Sequence, residues 1–439
     1  MSSSGSDPFD KLPAELRVRI LVSTNCILPI LQLIQASPIM LEQFLAYKQQ
    51  IVQRVLDFDK DMMQDAMAII LLPDSIEAND NSQSKGGAVL RLWLNYGLPN
   101  PIKNKSKHLA SQLSELTSRM IFLAEDYITK ATAPFPPREF HCLPSIHQPS
   151  INGHSLFKGV QITPRLDITS LSSLKMKRVI KAFLRYELSC KASYYFLKSY
   201  WEPFKRRINK AESEAIKCVH EYCCSLYGAL FAQLSDAQLP TCPTGPLLGT
   251  EDEIPDQFHF DTGAYAHKFD PLFKPGLGGD RFPCHANEFA SLGLDRLVDF
   301  LRYDVTKADG RDTLMTQLQN VWSRDSNYLY WTANSIFTSI YENKPATSFS
   351  GMYKELSLHN RCDLARDIGR QRAWIFFDDS RLYPQDSVER PNFPSDSFIE
   401  RNCVDADWFR LSWVARNKRR KRLGREEGRK RRLLNAGLT

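Results

Sequence analysis

The chain has 439 residues, 43% hydrophobic and 24% charged, ordinary fractions for a globular protein that exclude wholesale disorder and the fibrous classes. No apolar run approaches the roughly 20 residues that a membrane-spanning helix needs, and at about 100–200 residues per domain the length suggests two or three domains or one large one. The formal charge of +7 is uneven: residues 416–432 hold eleven Lys or Arg and two Glu, a local balance of +9, which leaves about −2 for the rest of the chain.

In chain order, residues 1–8 are Ser/Gly-rich and are expected to be disordered. They show neither the basic n-region nor the apolar h-region of a secretory signal. Cys26, Cys142, Cys190, Cys218, Cys223, Cys224, Cys242, Cys284, Cys362 and Cys403 form no CxxC pair, and they are too sparse for a disulfide scaffold. Reduced, mostly buried thiols are expected, in a soluble protein of the nucleus or cytoplasm.

Residues 9–56 read as three short helices separated by prolines. Asp10 is the expected N-cap of the first, with Pro13 in its first turn and Glu15 at its positive end. Leu12, Leu16 and Ile20 follow at helical spacing, with Leu21 beside them, and form one apolar stripe. Thr24-Asn25 breaks this helix. Pro29 opens the next, which carries Ile30 and Leu33 and stops at Ser37-Pro38, because a residue before proline avoids the helical region. The third carries Leu41, Phe44, Lys48, Ile51 and Val55.

From 57 to 404 the pattern predicts a large helical body. Helices are expected over 60–72, 87–96 (after a polar linker, 74–85) and 109–130, then a Pro-rich connector, 133–164, that is a candidate sub-boundary. Two long aromatic-rich helices are expected over 171–199 and 202–234, broken at Pro203. The Gly/Pro-rich insertion 239–285 is too long for an ordinary loop. Helices are expected again over 287–301, 312–342 and 349–376, and a basic, helical tail over 405–439. Alternating strand patterns are almost absent and no 20–50-residue period repeats, so the class is mainly α.

Phe-Asp-Lys-Leu-Pro-Ala-Glu-Leu-Arg-Val-Arg-Ile-Leu (9–21) resembles the opening of an F-box, and Ile-Leu-Gln-Leu-Ile-Gln-Ala-Ser-Pro (30–38) resembles its second helix and following turn. Arg-Ala-Trp-Ile-Phe-Phe-Asp-Asp-Ser-Arg-Leu (372–382) is loosely similar to a closing segment of fungal F-box-like proteins with a long helical body. The resemblance implies a non-catalytic substrate receptor of a cullin–RING ubiquitin ligase. Its head would dock a Skp-type adaptor through Leu12, Pro13, Leu16, Ile20, Leu21, Ile30 and Leu33, and its body would select a protein target. A three-helix unit this small cannot bury all its apolar residues alone. Some of them must cover a partner or the chain's own body, and Pro13 would set the docking angle. The stretch Ser37–Leu41 lacks the Trp of the family pattern, so a helical scaffold or regulatory protein whose degenerate head only completes the core stays open.

In the tail, Lys418, Arg419, Arg420, Lys421 and Arg422, then Arg429, Lys430, Arg431 and Arg432, form two basic clusters of the kind a nuclear import receptor reads. The same charge could bind nucleic-acid phosphates, a third reading that the lack of interleaved aromatics disfavours. Cys218, His220, Cys223 and Cys224 point to different faces of one helix and read as core, not as a metal site. His259, Asp261 and His267 carry an iron-ligand pattern without the strands that would support it, so no metal or cofactor is expected. Phe258, Phe260, Tyr265, Phe269 and Phe273 either tuck onto the body or meet a partner. Hydrolase, phosphate-loop, metalloprotease and dinucleotide motifs are missing, and no catalytic residues are expected.

Overall fold

A computed structural model describes residues 7–377 apart from 24–26, 57, 74–79, 102–103, 105, 147–153, 169–170, 194–206, 236, 243–253, 266–284 and 340–362, together with 393–394 and 398. The chain is mainly helical, with one small sheet. It divides into two compact units, residues 1–126 with 166–204 and residues 127–165 with 205–439. Among the described residues no helix is long and apolar enough to cross a membrane.

The first unit opens with α1 (Ala14–Ser23), α2 (Ile27–Ala36) and α3 (Pro38–Leu56), with α1 and α2 both packed on α3. Asp10, the expected N-cap, lies exposed in a turn before α1. The acid that organises this end is Asp7. Its Oδ1 accepts from the Phe9 amide at 2.9 Å, and its Oδ2 accepts from Ser37 Oγ at 2.5 Å. Ser37 Oγ in turn accepts from the Met40 amide at 3.1 Å, capping α3, and Pro38 takes the first helical position, where a missing N–H costs nothing. Ser37-Pro38 therefore ends one helix and starts the next, as a serine cap followed by proline should.

α3 also packs on α8 (Ser173–Ser193), which lies along α4 (Lys60–Leu71). Asp59 caps α4 by accepting from the Met62 amide at 2.8 Å. Met62, Met67, Phe183, Leu184 and Leu188 are almost wholly buried and form the core of this unit. α5 (Asp80–Leu94) packs on α4 and begins within the expected polar linker, since the hydrophobic period fixes only the helix's buried half. α6 (Lys107–Thr132) belongs to this unit as far as Asp126.

The second unit is built around α9 (Lys210–Leu234), buried along most of its circumference. It begins at Lys210, eight residues after the start expected at 202, at a capping box: Asn209 Oδ1 accepts from the Glu212 amide at 2.8 Å, and Glu212 Oε2 accepts from the Asn209 amide at 3.1 Å. α10 (His285–Ala290), α11 (Leu294–Leu301) and α13 (Asp363–Gln371) pack on α9, and α12 (Ala308–Ser339) packs on α10. The single helix expected over 287–301 is thus two, broken at Gly293, whose φ of 88° lies outside the helical region. Tyr227 stacks on Phe289 at 5.6 Å between centroids, and Phe289 meets Trp322 at 5.9 Å.

The Pro-rich connector is ordered where described. It holds a one-turn helix, α7 (Pro136–Glu139), and an antiparallel sheet of β1 (Leu143–Pro144), β2 (His154–Phe157) and β3 (Val160–Pro164). Strands this short give alternation no length to register. Their one sequence signal is the two-residue turn Lys158-Gly159, with both φ values positive (49° and 80°), as a tight hairpin requires.

Candidate functional site

Two regions could carry function: the outer face of the head, and the polar core of the second unit with the segment lodged against it.

On the head, the residues expected to bind an adaptor divide. Leu21 and Ile30 are buried, 0% and 1% exposed, and belong to the unit's own core. Leu12, Ile20 and Leu33 are half-buried, Pro13 is exposed, and Leu16 is 42% exposed. The turn before α1 is tied down by Arg17, whose Nε donates to the Leu12 carbonyl at 2.8 Å. The Leu12/Leu16/Ile20 stripe is therefore incompletely covered. Leu41 and Tyr47 on α3 add further exposed apolar surface, and α3 kinks at Tyr47. The import-signal residues 418–432 lie outside the described residues.

In the first unit the polar core is an acid–base cluster. Asp65 accepts from Trp93 Nε1 at 2.8 Å and from Arg185 Nε at 3.3 Å. Burial outweighs these partners and holds the Asp65 pKa above the usual carboxylate range. A cleft of about 240 Å³ beside the C-terminal half of α4 is lined by aliphatic side chains including Ile69 and Leu116 and by the polar Gln112, Glu115, Arg119 and Lys191.

In the second unit, α9 and α13 bring charge into the interior. Glu214 is gripped by Arg370, Glu221 faces His259, and Gln371 reaches between them. The thiols Cys218, Cys223 and Cys224 are buried, and the His220 ring lies 3.7 Å from Cys224 Sγ. Burial pushes the pKa of His220 down to about 4. Among the described residues no three His, Cys, Asp or Glu side chains converge as a metal would require, and His267 lies outside them.

Part of the aromatic insertion returns to this core. After a 3-10 turn (Ile254–Gln257), Phe258, Phe260 and Tyr265 are 4%, 2% and 6% exposed, so these three tuck onto the helical unit. Phe269 and Phe273 lie outside the described residues. The Gln371 side chain pairs both polar groups of one backbone residue: Phe260 N donates to Oε1 at 3.0 Å, and Nε2 donates to Phe260 O at 2.9 Å. The Phe260 ring meets the His141 ring at 4.4 Å. Gly228 on α9 admits this strap, because a Cβ there would sit 2.9 Å from Thr262 Cα.

Sequence reasoning named the aromatics of the strap and missed its clamp, Glu221 and Gln371. In the segment 372–382, Asp378, Asp379 and Arg381 lie outside the described residues, and the ion pairs observed next to it are those of Arg370 with Glu214 and Asp367. A buried Gln or Glu carries no signature in a helical period, so only the fold reveals it. No protein-family model matches the chain, and no curated protein and no solved structure is found to be similar to it.

Proposed function

We propose that this chain is an F-box-like substrate receptor: a non-catalytic protein that docks a Skp-type adaptor of a cullin–RING ubiquitin ligase through its head and holds a protein target through its helical body. One observation carries the reading. Leu16 is 42% exposed on α1 while Leu21, on the same helix, is 0% exposed. An amphipathic helix that fills its inner face and leaves leucine outward has apolar surface to offer a partner. Recruitment of this kind works by raising effective concentration, without activating a nucleophile in the receptor itself. The basic tail would serve nuclear import.

The test is recovery of the Skp-type adaptor by wild type and by Leu12→Asp/Leu16→Asp, with circular dichroism to establish that the variant is folded. Wild type is expected to bring down the adaptor and the folded variant to lose it. No recovery by wild type overturns the reading. The burial of Leu21 and Ile30 favours the second reading, a scaffold whose head completes its own core, and that reading predicts no adaptor in either sample. Retention of nucleic acid by wild type and its loss on deleting 416–432 would favour the tail as the working part.

A further inference from the structure

We infer that the strap 254–265 is a pH-sensitive latch: a charged His259 holds it against α9 through Glu221, and loss of that proton lets the strap leave the core. The inference rests on the second unit alone and stands or falls independently of adaptor binding.

His259 is 5% exposed, and its Nε2 lies 3.6 Å from Glu221 Oε1, an ion pair too long to be a hydrogen bond. Neither ring nitrogen has a hydrogen-bond partner among the described residues, so the attraction the ring supplies is that of its charge. The other described anchors of the strap keep their charge state between about pH 6 and about pH 9: the Gln371 clamp on Phe260, the ring contacts of Phe260 and Tyr265 with His141, whose pKa burial pushes down to about 4, and the close approach of Thr262 to Gly228. His259 is a titrating link from the strap to α9.

The charged groups around it favour the cation. Glu221 faces it from α9, Asp367 from α13 and Asp261 from the strap itself. His220 on α9 and Arg370 on α13 also act on Glu221, and Arg370 is already engaged by Glu214. Burial alone would lower the pKa of His259, but the three carboxylates outweigh it and hold it above the ordinary 6.5. Burial would likewise raise Glu221, and His259, His220 and Arg370 outweigh that and hold it low. Once His259 is neutral, the largely buried Glu221 carboxylate, 16% exposed, loses the strap's countercharge and keeps only the Gln371 amide at 3.1 Å and the more distant Arg370. Losing the charged partner of a largely buried group is unfavourable, and departure of the strap exposes the carboxylate further to water.

The sign follows from the raised value. The contribution of His259 to strap docking is complete below its unfolded value of 6.5 and is lost as pH rises through the higher folded value. Release would uncover Phe258, Phe260 and Tyr265 together with the α9 face they cover, a switchable apolar surface.

Hydrogen–deuterium exchange of the full chain, read as protection factors between about pH 6 and about pH 9, tests this. Protection of the 254–265 peptide is expected to fall by about tenfold as the strap opens locally, while peptides from α9 keep theirs. His259→Gln and Glu221→Gln are each expected to give low, pH-independent protection of the same peptide. Constant strap protection in wild type overturns the latch. So does a loss shared in step by α9, which would be unfolding of the unit, and so does a pH dependence retained in folded His259→Gln. If either variant does not fold, the wild-type profile decides.

Discussion

Arg370 grips Glu214 with two hydrogen bonds, Nε to Oε1 at 2.8 Å and Nη2 to Oε2 at 3.1 Å, across 156 residues of sequence. The forked guanidinium matches the carboxylate in both position and charge. The Glu214 side chain is 2% exposed and that of Arg370 16%, so the pair is shielded from water and salt. Burial alone would raise the pKa of Glu214, but Arg370 and Lys217 outweigh it and hold it below the usual range. Lys217, 3.7 Å from Glu214 Oε2, is itself pushed down to about 7, chiefly by burial. The pair joins α9 to α13, and Tyr127 adds a second tie by donating its hydroxyl to the Arg370 carbonyl at 2.5 Å.

Removing one partner should therefore cost far more than a surface ion pair. Arg370→Ala leaves Glu214 buried with its main countercharge gone and is expected to destabilise the chain by about 3–5 kcal/mol. Urea denaturation monitored by tryptophan fluorescence measures this. A loss below about 1 kcal/mol, the range of exposed pairs, would show that the site is hydrated.

Acid should weaken the second unit well before its carboxylates titrate. His141 and His220 are each pushed down to about 4, in both cases chiefly by burial. Their folded values lie below 6.5, so the unfolded chain binds protons more readily between the two values. Stability is complete above 6.5 and falls toward pH 4, by on the order of 3 kcal/mol for each histidine. Denaturation midpoints at pH 7 and pH 5 should differ accordingly, and His141→Gln should flatten the slope. Equal midpoints would show that these rings reach water.

The two faces of α1 should respond oppositely to truncation. Leu21→Ala removes a side chain that is 0% exposed and is expected to cost about 2–5 kcal/mol. Leu16→Ala, at 42% exposure, is expected to change stability by no more than about 0.5 kcal/mol. Thermal melts of both variants check this. A large loss from Leu16→Ala would mean that the stripe is covered by the chain itself and is not offered to a partner.

Gly228→Ala isolates the strap from helix propensity. Alanine in a helix interior gains up to about 1 kcal/mol over glycine. Here the added Cβ would lie 2.9 Å from Thr262 Cα and 3.0 Å from the Phe260 ring, both inside normal contact. The net effect is expected to be destabilising, by about 1–3 kcal/mol, with faster exchange confined to 254–265. A more stable variant would show that the strap does not approach α9 this closely.

The mainly helical class and most helix positions were legible in the amino-acid order, because a 3.6-residue apolar period persists over several turns wherever a helix has one buried face. The Ser37-Pro38 junction was legible for a different reason: its geometry is local, set by proline and a short hydroxyl side chain. Where structure is both short and nonlocal, the order of residues was silent. β1 to β3 are too brief to alternate, and the true starts of α5 and α9 depend on a polar linker and on a capping box that no apolar period marks.

The candidate sites show the same division more sharply. Sequence identified Leu12, Leu16, Ile20, Leu21, Ile30 and Leu33 as a set, since all are apolar at helical spacing. Only the packing of α1 and α2 on α3 decided that Leu21 and Ile30 face inward while Leu16 faces out. Sequence likewise left Phe258 and Phe260 two fates, tucking onto the body or meeting a partner, with folding back the commoner, but named none of the groups that would receive them. The fold chose, by aligning Gly228, Glu221, Gln371 and His141 from three distant stretches of chain around one strap. Burial and pairing depend on residues in separate elements, as far as 111 positions apart for Phe260 and Gln371, and periodicity within a segment carries no record of them.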